Sequence, residues 1–106
     1  MSFTVQVLPR ALDDVFHITT WIANRSPQGA EAWIAAYEKM LVRLAEQPLA
    51  CGSAPEANSL GRELRQALFR TRQGNTYRAV FLVQEATVYL LRVRGAGQPP
   101  LAADEI

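Results

Sequence analysis

The sequence predicts an α+β fold in the order β-α-α-β-β-β, a helical hairpin packed on one face of a small, mainly antiparallel twisted sheet. Three observations carry this reading. Apolar residues recur at the helical period in two consecutive stretches between Ala11 and Leu44, and three β-like runs divided by short turns follow Gly61. At the start, Phe3, Val5 and Val7 alternate with Thr4 and Gln6, as in a half-buried strand. At 106 residues, 49% of them hydrophobic, the chain is long enough for one core and too short for two, so residues 1–106 are expected to form one domain.

The first strand ends at Pro9, which is tolerated in a first helical turn. Ala11, Val15, Ile18 and Ile22 then line one side of a helix, with Leu12 widening the stripe. Ser26 before Pro27 reads as an N-cap followed by proline at the first helical position, so a second helix begins after a very short turn. Its stripe is Ala30, Trp33, Tyr37, Met40, Leu41 and Leu44, and Gln47-Pro48 ends it. Helices of about 15 and 20 residues span roughly 22 and 30 Å and, joined so tightly, run antiparallel. Residues 48 to 61 carry Pro48, Gly52, Ser53, Pro55, Asn58, Ser59 and Gly61, the composition of a surface loop. The β-like runs are Arg62 to Arg72, Thr76 to Gln84 and Thr87 to Arg94, with turns at Gly74-Asn75 and Glu85-Ala86. They form an antiparallel meander, and the first strand rejoins the same sheet through the helices.

Several function classes are disfavoured at once. Cys51 is the single cysteine and His17 the single histidine, so an intrachain disulfide and a zinc site built from several His and Cys side chains are excluded. One cysteine fits a reducing cytoplasm, and no apolar stretch approaches the roughly 20 residues of a membrane span. There is no phosphate-binding glycine loop, dinucleotide fingerprint or nucleophile elbow, so no cofactor and no metal are expected. His17, four residues after Asp13 and off the apolar stripe, reads as a solvent-facing ion-pair partner, and Cys51 as an inert thiol without a basic neighbour.

The net charge of +1 hides an asymmetry. Residues 1–61 hold four cations against six anions, whereas residues 62–94 hold seven arginines (Arg62, Arg65, Arg70, Arg72, Arg78, Arg92 and Arg94) against Glu63 and Glu85. Asp104 and Glu105 follow. An all-arginine cluster suits a carboxylate or phosphate partner, although basic residues also protect exposed strands from aggregation. Within Tyr77-Arg78-Ala79-Val80-Phe81-Leu82-Val83 the alternation puts Arg78, Val80 and Leu82 on one side, and Arg92 and Arg94 share a side of the last strand. If these sides coincide on the helix-free face, the arginines converge there as an open guanidinium patch.

Taken together, these pieces resemble the RelE/ParE superfamily of type II toxin-antitoxin toxins, and its ParE-like branch in particular. The resemblance spans nearly the whole chain. It rests on Val7-Leu8-Pro9-Arg10-Ala11, Ala32-Trp33, Leu44 with Pro48, Pro55-Glu56, Glu63-Leu64-Arg65, Tyr77-Arg78 opening an apolar strand, and Leu90-Leu91-Arg92-Val93-Arg94 followed by Gly95-Ala96. It implies a growth-inhibiting toxin of the plasmid-stabilisation type, silenced by a cognate antitoxin. ParE-like members poison DNA gyrase without making or breaking bonds, whereas RelE-like members cut messenger RNA on the ribosome.

Arg78 matches the strand arginine of RelE-like cleavage. The preceding run has no lysine, and the tail lacks the tyrosine and basic companions that RNA cleavage needs, so the nuclease reading is second choice. Many ParE-like relatives end their last strand in His-Gly-Ala-Arg, where this chain has Arg94-Gly95-Ala96-Gly97. That departure raises a third reading, a decayed toxin that only binds antitoxin. The expected target contacts are Arg65, Arg78, Arg92 and Arg94. Trp21, Trp33 and Tyr37 on the hairpin are the expected antitoxin contacts, although aromatics at helical spacing more often pack against the sheet. A toxin homodimer or a hetero-oligomer with antitoxin is the assembly this implies.

Overall fold

A computed structural model describes residues 2–106. β1 (Thr4–Val7) leads into α1 (Pro9–Ala23) and α2 (Pro27–Glu46). A short helix α3 (Glu56–Leu60) precedes β2 (Arg65–Arg70), β3 (Thr76–Gln84) and β4 (Thr87–Gly95). The strands make one sheet in the order β1-β4-β3-β2, with β1 parallel to β4 and the other two pairings antiparallel. The α+β fold with its helical hairpin and the β-α-α-β-β-β order are those the sequence predicts.

The local signals act as their chemistry dictates. The Ser26 hydroxyl accepts a hydrogen bond from the Gly29 N–H at 2.9 Å, which satisfies one orphan donor of α2, and Pro27 occupies its first turn. β3 and β4 are joined through Glu85, whose φ of 56° is the left-handed geometry of a tight hairpin turn. α3 stops at Gly61, where φ is 63° and a side chain would be strained.

Strand alternation sorts the core into two clusters. On the helix-bearing face, Ala67, Phe69, Ala79, Phe81, Val88, Leu90 and Val93 meet Ala11, Trp33, Tyr37, Met40 and Leu44. Trp33 stacks on Tyr37 with ring centroids 5.5 Å apart and meets Phe69 and Tyr77 at 5.4 and 5.5 Å. Burial of this kind contributes roughly 25 cal/mol per Å² of apolar surface.

The other face is covered, which corrects the expectation of an open helix-free face. Ala54, Leu64, Val80, Leu91 and Leu101 form a second buried cluster there, flanked by Leu60, Leu82 and Ile106. Its cover is the 54–64 segment together with the extended stretch through Leu101 and a short 3-10 turn at Ala103–Glu105. The physical reason was already in β3. A strand apolar on both faces, Val80 and Leu82 as well as Ala79 and Phe81, requires burial on both. The register shifts between Val80 and Phe81, leaving Leu91 as the extra residue of β4 and adding one more apolar group to the second face.

Two boundaries move with this cover. Residues 48–61 are more than a surface loop, because α3 lies inside them and Ala54 and Glu56 are buried. β2 begins at Arg65 rather than Arg62, since Leu64 accepts a hydrogen bond at its carbonyl from the Ala54 N–H and turns its side chain into the second cluster.

Candidate functional site

Arg78 stands at the centre of the second face, paired across β2 with Leu68 and across β4 with Arg94, while its neighbour Val80 pairs with Arg92. Directly opposed residues share a face, so Arg78, Arg92 and Arg94 lie on one side of the sheet, as the alternation requires. They do not form an open patch. Each is met by a carboxylate delivered by a different part of the chain.

The Arg78 guanidinium is 4% exposed and donates to both oxygens of Glu56, at 2.9 Å to Oε1 and 2.5 Å to Oε2. Its Nη1 also lies 3.4 Å from the Gln66 side-chain oxygen. Glu56, wholly buried in the first turn of α3, further accepts the Leu101 N–H at 2.7 Å, so one carboxylate ties α3, β3 and the C-terminal stretch together. Burial by itself raises the Glu56 pKa. The Arg78 hydrogen bonds, the Leu101 and Glu56 N–H groups and the Arg78 charge together outweigh it and hold the group below the ordinary carboxylate range.

Arg92 donates from Nε and Nη2 to Asp14 at 2.8 and 2.9 Å, and from Nη1 to the Glu105 carbonyl. Asp14 also takes the Val93 N–H at 2.9 Å, on a stretch of β4 beyond the reach of β1. The Asp14 hydrogen bonds hold the Arg92 guanidinium more firmly protonated than an isolated arginine, against the opposing cost of burial. Arg94 lies 3.5 Å from the Glu105 carboxylate, and Arg10 donates to the Asp104 carbonyl at 2.7 Å. Arg65, on the edge strand β2, pairs with Phe81 and so belongs to the helix-bearing side of the sheet, donating to the Cys51 carbonyl at 2.7 Å and lying 3.8 Å from Glu63.

This is a face whose cations are already neutralised from within, set on a sheet with a helical hairpin on its other side. A family model described as the ParE toxin of the type II toxin-antitoxin system parDE matches residues 5–100. The chain belongs to the ParE toxin family. It is thus a toxin-antitoxin toxin, and membership implies a cognate antitoxin. A search of curated proteins finds no match.

For a ParE-family chain, the four expected target arginines divide. Arg78, Arg92 and Arg94 are together and ion-paired, while Arg65 stands apart. Arg78 is buried and paired with Glu56. The hairpin aromatics divide too. Trp33 is 2% exposed and Tyr37 is buried beside it, and burial raises the Tyr37 pKa, so both are part of the core of this chain. Trp21 is 55% exposed, with the Arg25 guanidinium 3.7 Å above its ring. Leu12 and Phe16, one turn apart on the other flank of α1, are exposed as well. His17 faces solvent as expected, with Nδ1 2.8 Å from the Asp13 carbonyl oxygen and 3.5 Å from the Asp13 carboxylate.

Among the described residues, no cluster of three His, Cys, Asp or Glu side chains is arranged to hold a metal, and no helix is long and apolar enough to cross a membrane. A depression of about 410 Å³ runs along the β2 edge between Arg43, Cys51, Gln66 and Leu68. Sequence reasoning missed Glu56, Asp14 and Glu105 as partners. Asp14 had a signal, since it lies three residues after Ala11 and one before Val15, on the apolar stripe itself.

Proposed function

We propose that this ParE-family toxin acts in the cytoplasm by binding DNA gyrase and corrupting its cleavage complex, and that a cognate antitoxin neutralises it by covering the exposed apolar side chains of α1, Leu12, Phe16 and Trp21. One observation carries the choice against RNA cleavage. Arg78, the residue that matches the nuclease arginine, is buried and held at Nη1 and Nη2 by Glu56. A guanidinium whose charge and donors are already committed has little left for a phosphorane-like transition state, and catalysis by charge stabilisation depends on free, preorganised donors. The exposure of Leu12, Phe16 and Trp21 supports an antitoxin that wraps α1 from both flanks, because large apolar groups left in solvent mark partner contacts.

The test measures supercoiling by purified gyrase and, in parallel, maps message ends in a coupled translation reaction, each with added protein. The proposal expects lost supercoiling with trapped cleaved DNA, and intact messages. Untouched supercoiling together with new message ends that disappear in Arg78→Ala would replace it with the nuclease reading. Inactivity in both reactions, with antitoxin still bound, would replace it with the antitoxin-binding module.

A further inference from the structure

The acidic stretch Leu101–Ile106 is bound to the second face as a peptide ligand is bound. Three of the arginine contacts to it go to main-chain oxygens. Arg10 donates to the Asp104 oxygen at 2.7 Å and reaches the Ile106 oxygen at 3.4 Å, and Arg92 donates to the Glu105 oxygen. Such contacts are indifferent to side-chain identity, so another peptide can supply them. Three side chains give the selectivity. Leu101 fills an apolar socket with Leu64, Val80 and Leu91, the Glu105 carboxylate faces Arg94, and Ile106 lines a groove of about 300 Å³ with Leu8, Leu91, Arg10 and Arg62. The stretch joins β4 through residues 96–100, all exposed and including Gly97, Pro99 and Pro100.

We propose that this face is a docking groove for an acidic segment of a partner protein, with the pattern apolar, three residues, acid, apolar, and that Leu101–Ile106 occupies it in cis until that partner displaces it. Apolar sockets beside guanidiniums fit a peptide better than a nucleic acid, whose phosphates would leave the Leu101 and Ile106 sites empty. The hydrogen bond donated by the Ala102 N–H, together with the charges of Arg94 and Arg92, holds the Glu105 carboxyl below its usual range, in line with an acid-reading subsite. The inference goes beyond the gyrase reading and stands whether or not gyrase is the target.

The probe is a fluorescent, end-blocked peptide of sequence LAADEI, titrated against the full chain and against Glu105→Lys, which repels Arg94 without emptying the core. A tethered segment competes at an effective concentration of order millimolar, so the wild type should bind the free peptide weakly. The expected result is at least a tenfold tighter complex with Glu105→Lys, lost for the amide version LAANQI and lost when Arg94→Ala is added. On the wild-type chain, excess LAADEI should speed hydrogen exchange at the Leu101 amide. A folded Glu105→Lys that gains no affinity, equal binding of LAANQI, or tighter binding of a single-stranded RNA of equal charge overturns the proposal. If Glu105→Lys fails to fold, Leu101 exchange in the wild type decides, and protection unchanged by saturating peptide overturns it.

Discussion

The two faces of one sheet are held by different physics. Under the helices, stacked aromatic and aliphatic side chains exclude water, and little there titrates near neutral pH. On the opposite face, apolar residues are interleaved with arginines that need Glu56, Asp14 and Glu105 to be tolerable. A buried ion pair is a weak source of net stability, because desolvation consumes most of its Coulombic gain, whereas breaking one is expensive. The comparison teaches that the first face is built for area and the second for commitment, fixing three chain segments at defined places.

The largest expected effect breaks the second face. Glu56→Ala should destabilise by about 3–5 kcal/mol in urea unfolding, since it strands a buried guanidinium, whereas replacing Glu56 and Arg78 together by leucine and methionine should recover most of that loss. Trp33→Ala should cost a similar amount, about 3–5 kcal/mol, through the cavity it leaves, but with no rescue by a neighbouring polar change. Asp14→Asn should cost about 1.5–3 kcal/mol, the range for hydrogen bonds to charged groups, and should loosen the Val93 amide in hydrogen exchange.

Acid separates the faces without mutation. Because folding lowers the Glu56 pKa, its contribution is complete above the carboxylate's unfolded value and disappears as pH falls through the folded one. Stability should therefore decline below the ordinary carboxylate range, and Glu56→Gln should flatten that decline while Trp33→Ala leaves it in place. The smallest expected effect is Trp21→Ala, within about 0.5 kcal/mol on stability. Antitoxin affinity should fall at least about tenfold, as for an aromatic anchor.

Much of the fold was legible because its signals are local. The Ser26-Pro27 cap, the helical stripe through Trp33 and Leu44, and the two-residue turn at Glu85-Ala86 each act within a few residues of themselves. The covered second face was half legible. The apolar run of β3 demanded burial on both sides, but nothing near Glu56 says that its carboxylate will reach Arg78, 22 residues onward. Pairing across such distances is decided by where α3 and the Leu101 stretch settle, not by spacing. For the same reason the arginines could be placed on one face from alternation alone, while their neutralisation could not. Trp33 and Tyr37 went to the core because they share the stripe of Met40 and Leu44, and Trp21, off its own helix's stripe, stayed outside.

The central claim is that Arg78 is committed to Glu56 rather than free for chemistry, and a double-mutant cycle of Glu56→Ala, Arg78→Ala and the pair, followed by equilibrium unfolding, tests it most directly. The account predicts that the double variant is at least about 2 kcal/mol more stable than the sum of the single losses requires. Additivity within about 0.5 kcal/mol would contradict it and return Arg78 to the pool of groups available to act on another molecule.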